Sequence, residues 1–246
     1  SGSGDGFDRI SGGLGDDRIV GSDGDDVIGL RTFSGDLTVE TIDGGLGENV
    51  VSGNGSSNVL DFSGTALVNI ARIEGGGGLD VITGSDGADV IVGGAFYDIL
   101  SGGAGDDEFL VSGSGDGFDR ISGGLGDDRI VGSDGDDIIG LRTFSGDLTV
   151  ETIDGGLGEN VISGNGSSSV LDFSGTALVN ISRIEGGGGL DVITGSSGND
   201  VIDGGTGNDK LFGGAGDDTL ISSGGSDRLT GGDGDDTFIL SDDNFK

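Results

Sequence analysis

The 246-residue chain contains no cysteine, histidine, proline, methionine or tryptophan, and its one tyrosine is Tyr97. Without thiolate or imidazole it has no cysteine or histidine nucleophile, no zinc or haem ligand set and no disulfide framework. Positive charge is scarce as well, since 11 Lys and Arg stand against 45 Asp and Glu for a formal charge of −34. Nucleic acid and anionic membrane surfaces repel such a polyanion, so neither is an expected partner. No apolar run approaches the length of a transmembrane helix, and no amino-terminal signal peptide is visible. Apolar residues make up only 32% of the chain, which at this charge would ordinarily indicate disorder.

What the chain has is glycine, 60 residues of it, arranged in a period. Gly12 to Val20 reads GGLGDDRIV, and the pattern glycine-glycine-x-glycine-x-aspartate-x-aliphatic-x returns almost from end to end. Glycines at the first, second and fourth places allow backbone turns that a Cβ would forbid, and these aim main-chain carbonyls at a common point. Aspartate at the sixth place adds a hard anionic oxygen. The x-aliphatic-x that follows is a short strand with one inward apolar side chain, a role that Ile10, Ile19, Ile28, Ile82, Ile91, Leu100 and Phe109 fill on schedule. Carbonyl and carboxylate oxygens without nitrogen or sulfur form the ligand set of calcium.

Twelve segments fit closely, and their sixth residues are Asp17, Asp26, Asp80, Asp89, Asp107, Asp128, Asp137, Asp191, Asp200, Asp209, Asp218 and Asp236. Looser copies add Asp8, Asp98, Asp119 and Asp227, giving the candidate metal ligands of the chain. From Asp191 to Asp236 the aspartates follow the nonapeptide period without a break. Clustered carboxylates repel one another, so folding is expected to depend on calcium.

A second period overlies the first. Residues 1–87 recur at 112–198, so that Ser1 returns as Ser112 and Gly87 as Gly198. Five substitutions separate the copies: Val27 to Ile138, Val51 to Ile162, Asn58 to Ser169, Ala71 to Ser182 and Asp86 to Ser197. This divides the chain into one module at 1–111, a second at 112–198 and regular carboxy-terminal repeats with a cap at 199–246, all expected to form one continuous solenoid. Each module is interrupted twice, at 30–43 (LRTFSGDLTVETID) and 62–74 (FSGTALVNIARIE), with counterparts from Leu141 and Phe173. Their alternating runs TVETI and LVNIARI read as strands, so they are expected to be coils with metal-free turns, plugged by Phe33 or Phe62. Between them Asn49 and Asn58, and in the second copy Asn160 and Ser169, hold the aspartate position. An amide oxygen ligates calcium without bringing charge, so the middle of each module should be calcium-poor.

Nearly the whole chain resembles the RTX repeat region of proteins exported by Gram-negative type I secretion systems, among them toxins, metalloproteases, lipases, S-layer proteins and giant adhesins. The resemblance implies an all-β fold, a right-handed parallel β-roll in which two nonapeptides make one coil and calcium lies between turns stacked one coil apart. It would pair Asp8 with Asp26, Asp80 with Asp98, Asp89 with Asp107, Asp119 with Asp137, Asp191 with Asp209, Asp200 with Asp218, Asp209 with Asp227, and Asp218 with Asp236. Asp17 and Asp128 lack a partner at that spacing. Eight pairs imply roughly 8 to 14 calcium ions. The resemblance also implies a secreted, cell-surface location and carboxy-terminal-first assembly, with Phe238 closing the core.

With its turn aspartates committed to metal and no cleft-forming domain evident, the chain is not expected to be an enzyme. A tandem module of this kind suits a rigid spacer or scaffold in an adhesin or surface-layer protein, in contact with neighbouring copies of itself or with cell-surface glycans. The alternative is a calcium-dependent carbohydrate-binding module. Against it stand the absence of tryptophan and the scarcity of tyrosine, which deny sugar rings a stacking platform. Arg31, Arg72, Arg142 and Arg183 recur once per interruption and read either as a stripe for acidic glycans or as counter-charge to neighbouring carboxylates.

Overall fold

The computed structural model describes residues 6–33, 39–111, 115–144 and 150–241. Parts of the predicted interruptions (34–38 and 145–149), the beginnings of the two looser copies (within 1–5 and 112–114) and the carboxy-terminal 242–246 lie outside the described residues. Among those described there are 29 short strands, most of three residues, and no helix. All the strand pairs are parallel and stacked, which makes the fold a β-solenoid. Two compact units arise from the chain, one from 1–110 with 121–129 and the other from 111–120 with 130–246.

In the first unit one sheet stacks Val27–Gly29, Val50–Ser52, Arg72–Gly77, Val90–Ala95 and Glu108–Leu110. A second stacks Thr32–Phe33, Val59–Asp61, Val81–Thr83 and Ile99–Ala104, and a third stacks Arg18–Val20, Thr41–Asp43 and Ala66–Val68. The second unit repeats the plan. There Ile138–Gly140, Asn160–Ser163, Ile181–Glu185, Val201–Asp203, Thr219–Ser222 and Thr237–Leu240 form one sheet, and Thr143–Phe144, Val170–Asp172, Val192–Thr194, Lys210–Ala215 and Arg228–Asp233 form another.

Coil length varies in a way the nonapeptide does not announce. Where the motif is regular, a step along the stack spans two repeats, as from Ile73 to Ile91, Ile82 to Leu100 or Ile202 to Leu220. Through the interruptions the step is longer, carrying Ile28 to Val51, Thr41 to Ala66 and Phe33 to Leu60. The extra residues supply the third strand of the coil and widen its interior. Phe33 and Phe62 fill that interior, buried and stacked with ring centroids 5.1 Å apart, and Phe144 and Phe173 repeat the pair in the second unit. Both phenylalanines plug the core, as the sequence suggested for one or the other.

Elsewhere the core is a column of single inward residues. Ile82, Ile91, Leu100 and Phe109 are buried on the predicted schedule, each burial worth about 1.5–3 kcal/mol. Ile19 and Ile28 are only partly covered because they sit in the first strands of their sheets. Phe238 stacks on Leu220, which is fully buried, and as part of the last strand of its sheet is itself 50% exposed. Turn glycines allow the coils to approach closely: Gly76 has φ +99°, and a Cβ there would lie 2.7 Å from the carbonyl oxygen of Asn54.

Candidate metal centres

The stacked turns bring the sixth-place aspartates into ladders. Asp80 donates its backbone N–H to Asp98 Oδ1 at 2.7 Å, Asp89 to Asp107 at 2.8 Å, Asp191 to Asp209 at 2.8 Å and Asp200 to Asp218 at 2.8 Å. Asp209 likewise donates to Asp227 at 2.9 Å and Asp218 to Asp236 at 3.1 Å. Two pairs implied by two-repeat spacing do not form. Asp8 bridges Leu30 and Asp119 bridges Leu141, because each lies in a lengthened coil. For the same reason Asp26 donates to Asn49 and Asp137 to Asn160, both at 3.0 Å.

The lengthened coils also supply partners that a two-repeat rule misses. Asp107 donates to Asp128 Oδ1, 21 residues on, at 2.7 Å. Asp17 donates to the carboxylate of Glu40, 23 residues on, at 2.6 Å. Glu40 lies in the TVETI run, and its acidic character was the one available signal.

The second carboxyl oxygen separates the turns into kinds. Oδ2 of Asp17, Asp80, Asp107, Asp191, Asp209 and Asp218 is buried and takes no hydrogen bond. Each of these turns has glycine at the second motif place. Where serine stands there, the oxygen is occupied: Ser85 gives Asp89 Oδ2 its N–H at 2.6 Å and its hydroxyl at 2.9 Å, and Ser196 does the same for Asp200 at 2.7 and 3.0 Å. Ser22 and Ser133 serve Asp26 and Asp137 through N–H bonds of 2.5 Å.

The buried oxygens of Asp80, Asp107, Asp191 and Asp218 lie beside main-chain carbonyl oxygens. A Cβ placed on Gly75 would lie 2.5 Å from Gly93 O and 2.7 Å from Asp80 Oδ2, and one on Gly186 would lie 2.6 Å from Gly204 O and 2.8 Å from Asp191 Oδ2. Among the described residues no three acidic side chains gather around one point. The donor set is therefore carboxylate plus main-chain carbonyl, which fits a hard cation with oxygen ligands, and Asp80 with Gly93 or Asp191 with Gly204 are residues that would hold one. Calcium held by them would supply two positive charges to offset the repulsion among these oxygens.

Protonation tells the same story. Burial pushes the Asp107 carboxyl up from 3.8 to about 7, against a hydrogen bond from Asp89 and with repulsion from Asp128 and Asp89 adding to it. Burial raises Asp191 to about 6, opposed by the Ser169 N–H and assisted by Asp209. Asp80, Asp89, Asp200, Asp209 and Asp218 move upward for the same first reason. Asp26 moves down, because the Ser22 N–H stabilises its anion.

The family model for the RTX calcium-binding nonapeptide repeat (4 copies) matches residues 3–29, 34–64, 71–100, 83–111, 114–140, 145–168, 185–220 and 212–244, well over half of the chain. The chain belongs to this RTX family. It is a calcium-binding repeat protein, and its solenoid is a structural fold of the kind typical of secreted proteins. No curated protein matches it. Among the described residues, no helix is long and apolar enough to cross a membrane.

Proposed function

We propose that this RTX chain is a calcium-stiffened spacer or scaffold of a bacterial adhesin or surface-layer protein, folding when it meets extracellular calcium after export. The observation that carries this reading is a near-identical module repeated in tandem whose buried carboxyl oxygens face carbonyls across its turns. The sixteen sixth-place aspartates supply its ligands, joined by Glu40, for a load in the range of roughly 8 to 14 ions. Extracellular modules of this type bind at about 10⁻⁴ to 10⁻³ M, far above cytosolic calcium, so that metal binding becomes folding free energy outside the cell.

The glycan-binding reading lacks support from the surface. A pocket of about 360 Å³ in the first unit is lined by Glu40, Thr65, Ser85 and Asp86 with no aromatic ring. Arg72 and Arg183 are engaged by Glu74 and Glu185, each at 2.5 Å. Force spectroscopy on the whole chain, paired with a glycan array, tests the proposal. A calcium-dependent rise in unfolding force without glycan binding is expected. Calcium-dependent glycan binding with no mechanical change would refute the spacer.

A further inference from the structure

Asn49, Asn58 and Asn160 occupy the place that aspartate holds in the metal turns, and they face the same surroundings. A Cβ on Gly44 would lie 2.5 Å from both Asn69 O and Asn49 Nδ2, and one on Gly155 would lie 2.6 Å from Asn180 O and 2.5 Å from Asn160 Nδ2. At Gly75 and Gly186 the corresponding pair is oxygen against oxygen. Here a donor meets an acceptor and bonds to it: Asn49 Nδ2 donates to Asn69 O at 2.9 Å and Asn160 Nδ2 to Asn180 O at 3.0 Å. Asn58 Nδ2 donates to Asp80 Oδ1 at 2.9 Å, to the carbonyls of Asn54 at 3.2 Å and Gly75 at 3.3 Å, and to that of Ser56.

The neighbours fix which way the Asn49 and Asn160 amides point. Oδ1 of Asn49 and of Asn160 accepts the backbone N–H of Asp26 and Asp137 at 3.0 Å, as aspartate Oδ1 does in the ladders. Flipping either amide would set N–H against N–H on one side and oxygen against oxygen on the other. The carboxamide thus presents donors where a metal turn presents a bare oxygen.

We propose that the carboxamides of Asn49, Asn58 and Asn160 replace calcium, so that the Asn49 and Asn58 turns of the first module and the Asn160 turn of the second close without metal. Two N–H groups satisfy the inward carbonyls that a cation would otherwise gather, and their hydrogens leave no oxygen facing the gap. The inference rests on the reading that the aspartate turns hold calcium. It goes further by assigning the turns that do not.

The test is the number of ions bound to the whole chain at saturating calcium, measured by equilibrium dialysis with elemental analysis, for the parent, N49D/N160D and D191N. The double variant restores the oxygen pair twice and should hold two more ions than the parent. D191N should hold one ion fewer while residues 186–194 keep their hydrogen-exchange protection in calcium. An unchanged count in N49D/N160D, its failure to fold in calcium, or loss of that protection in D191N would overturn the proposal. A parent without bound calcium would overturn the calcium reading itself, a result distinguishable from each of these.

Discussion

The carboxy-terminal run from Gly186 to Leu240 and the middle of each module are built on one stacking plan, yet they close their turns by different means. In the run every step spans two repeats, each of two facing sheets buries one inward residue per strand, such as Ile202 and Leu220 or Ile193 and Leu211, and the buried oxygens of Asp191 and Asp218 lie beside the carbonyls of Gly204 and Gly231. In the middle, longer steps such as Phe33 to Leu60 make room for Phe33 on Phe62, and Asn49 and Asn58 close the turns with their own hydrogen bonds. A short coil buries one inward residue per strand, Phe109 among them, and leans on its turns for the rest of its stability, whereas a long coil also holds a stacked pair of rings.

The largest consequence should appear on removal of metal. In chelator the aspartate turns retain uncompensated charge, and the run should lose its hydrogen-exchange protection across 186–240 while 44–61 and 155–172 exchange more slowly. Circular dichroism should show substantial loss of β structure, recovered cooperatively with calcium. Magnesium should restore it poorly, because it demands octahedral geometry and sheds water reluctantly. Equal protection of both regions in chelator would erase the comparison.

The opposite lever is the aromatic pair. Truncating Phe33 or Phe144 to alanine removes a buried ring and one stacking partner, at a cost of about 3–5 kcal/mol. Because the loss lies in packing, saturating calcium should leave the penalty in place. Urea unfolding of F33A and F144A in excess calcium measures it. Full rescue by calcium would show that metal stabilises the middle as well.

The contrast was only partly legible in the sequence. The nonapeptide marks each aspartate turn and the inward strand residue, since both follow from local spacing, and the Asp191 to Asp236 register could be read directly. Coil length through 30–43 and 62–74 could not. An inserted strand adds as many residues as its packing requires, and no local period records that number, so two-repeat spacing places the partners of Asp8 and Asp119 one short coil away. Glu40 lies outside any motif, and only the ladder from Asp17 reaches it. The asparagines were recognised as weak ligands from their chemistry, whereas the direction of their amides depends on carbonyls 20 residues distant in the chain.

Acid should blur the same contrast. Asp107, raised to about 7, and Asp191, raised to about 6, bind protons in the metal-free fold at pH values where the unfolded chain, near 3.8, has released them. The folded state then holds more protons than the unfolded state, so metal-free stability rises as pH falls from about 7 towards 4 and is lost on returning upward. Protons compete with calcium for these carboxylates. In chelator, β structure should therefore be greater at pH 5 than at pH 8, and the calcium midpoint should be higher at pH 5.5 than at pH 7.5. A pH-independent midpoint would separate the buried carboxyls from the metal.

The smallest effect is expected where the two regions differ least, on the outer faces of their strands. Arg72 and Glu74, like Arg183 and Glu185, lie two apart on a strand and so on one face, paired at 2.5 Å but 33 to 51% exposed. An ion pair this open to water contributes about 0–1 kcal/mol and less as salt rises. Removing a positive charge from a chain of formal charge −34 also adds repulsion, yet in about 0.15 M salt that field decays within roughly 8 Å. R72A/R183A should therefore unfold within about 1 kcal/mol of the parent in saturating calcium, with a calcium midpoint changed by less than about twofold. A larger shift in midpoint would place these arginines in the electrostatics of the metal turns. Calcium-dependent binding of an acidic glycan, abolished in R72A/R183A, would instead make them a recognition stripe and return the middle of the module to the sugar-binding reading.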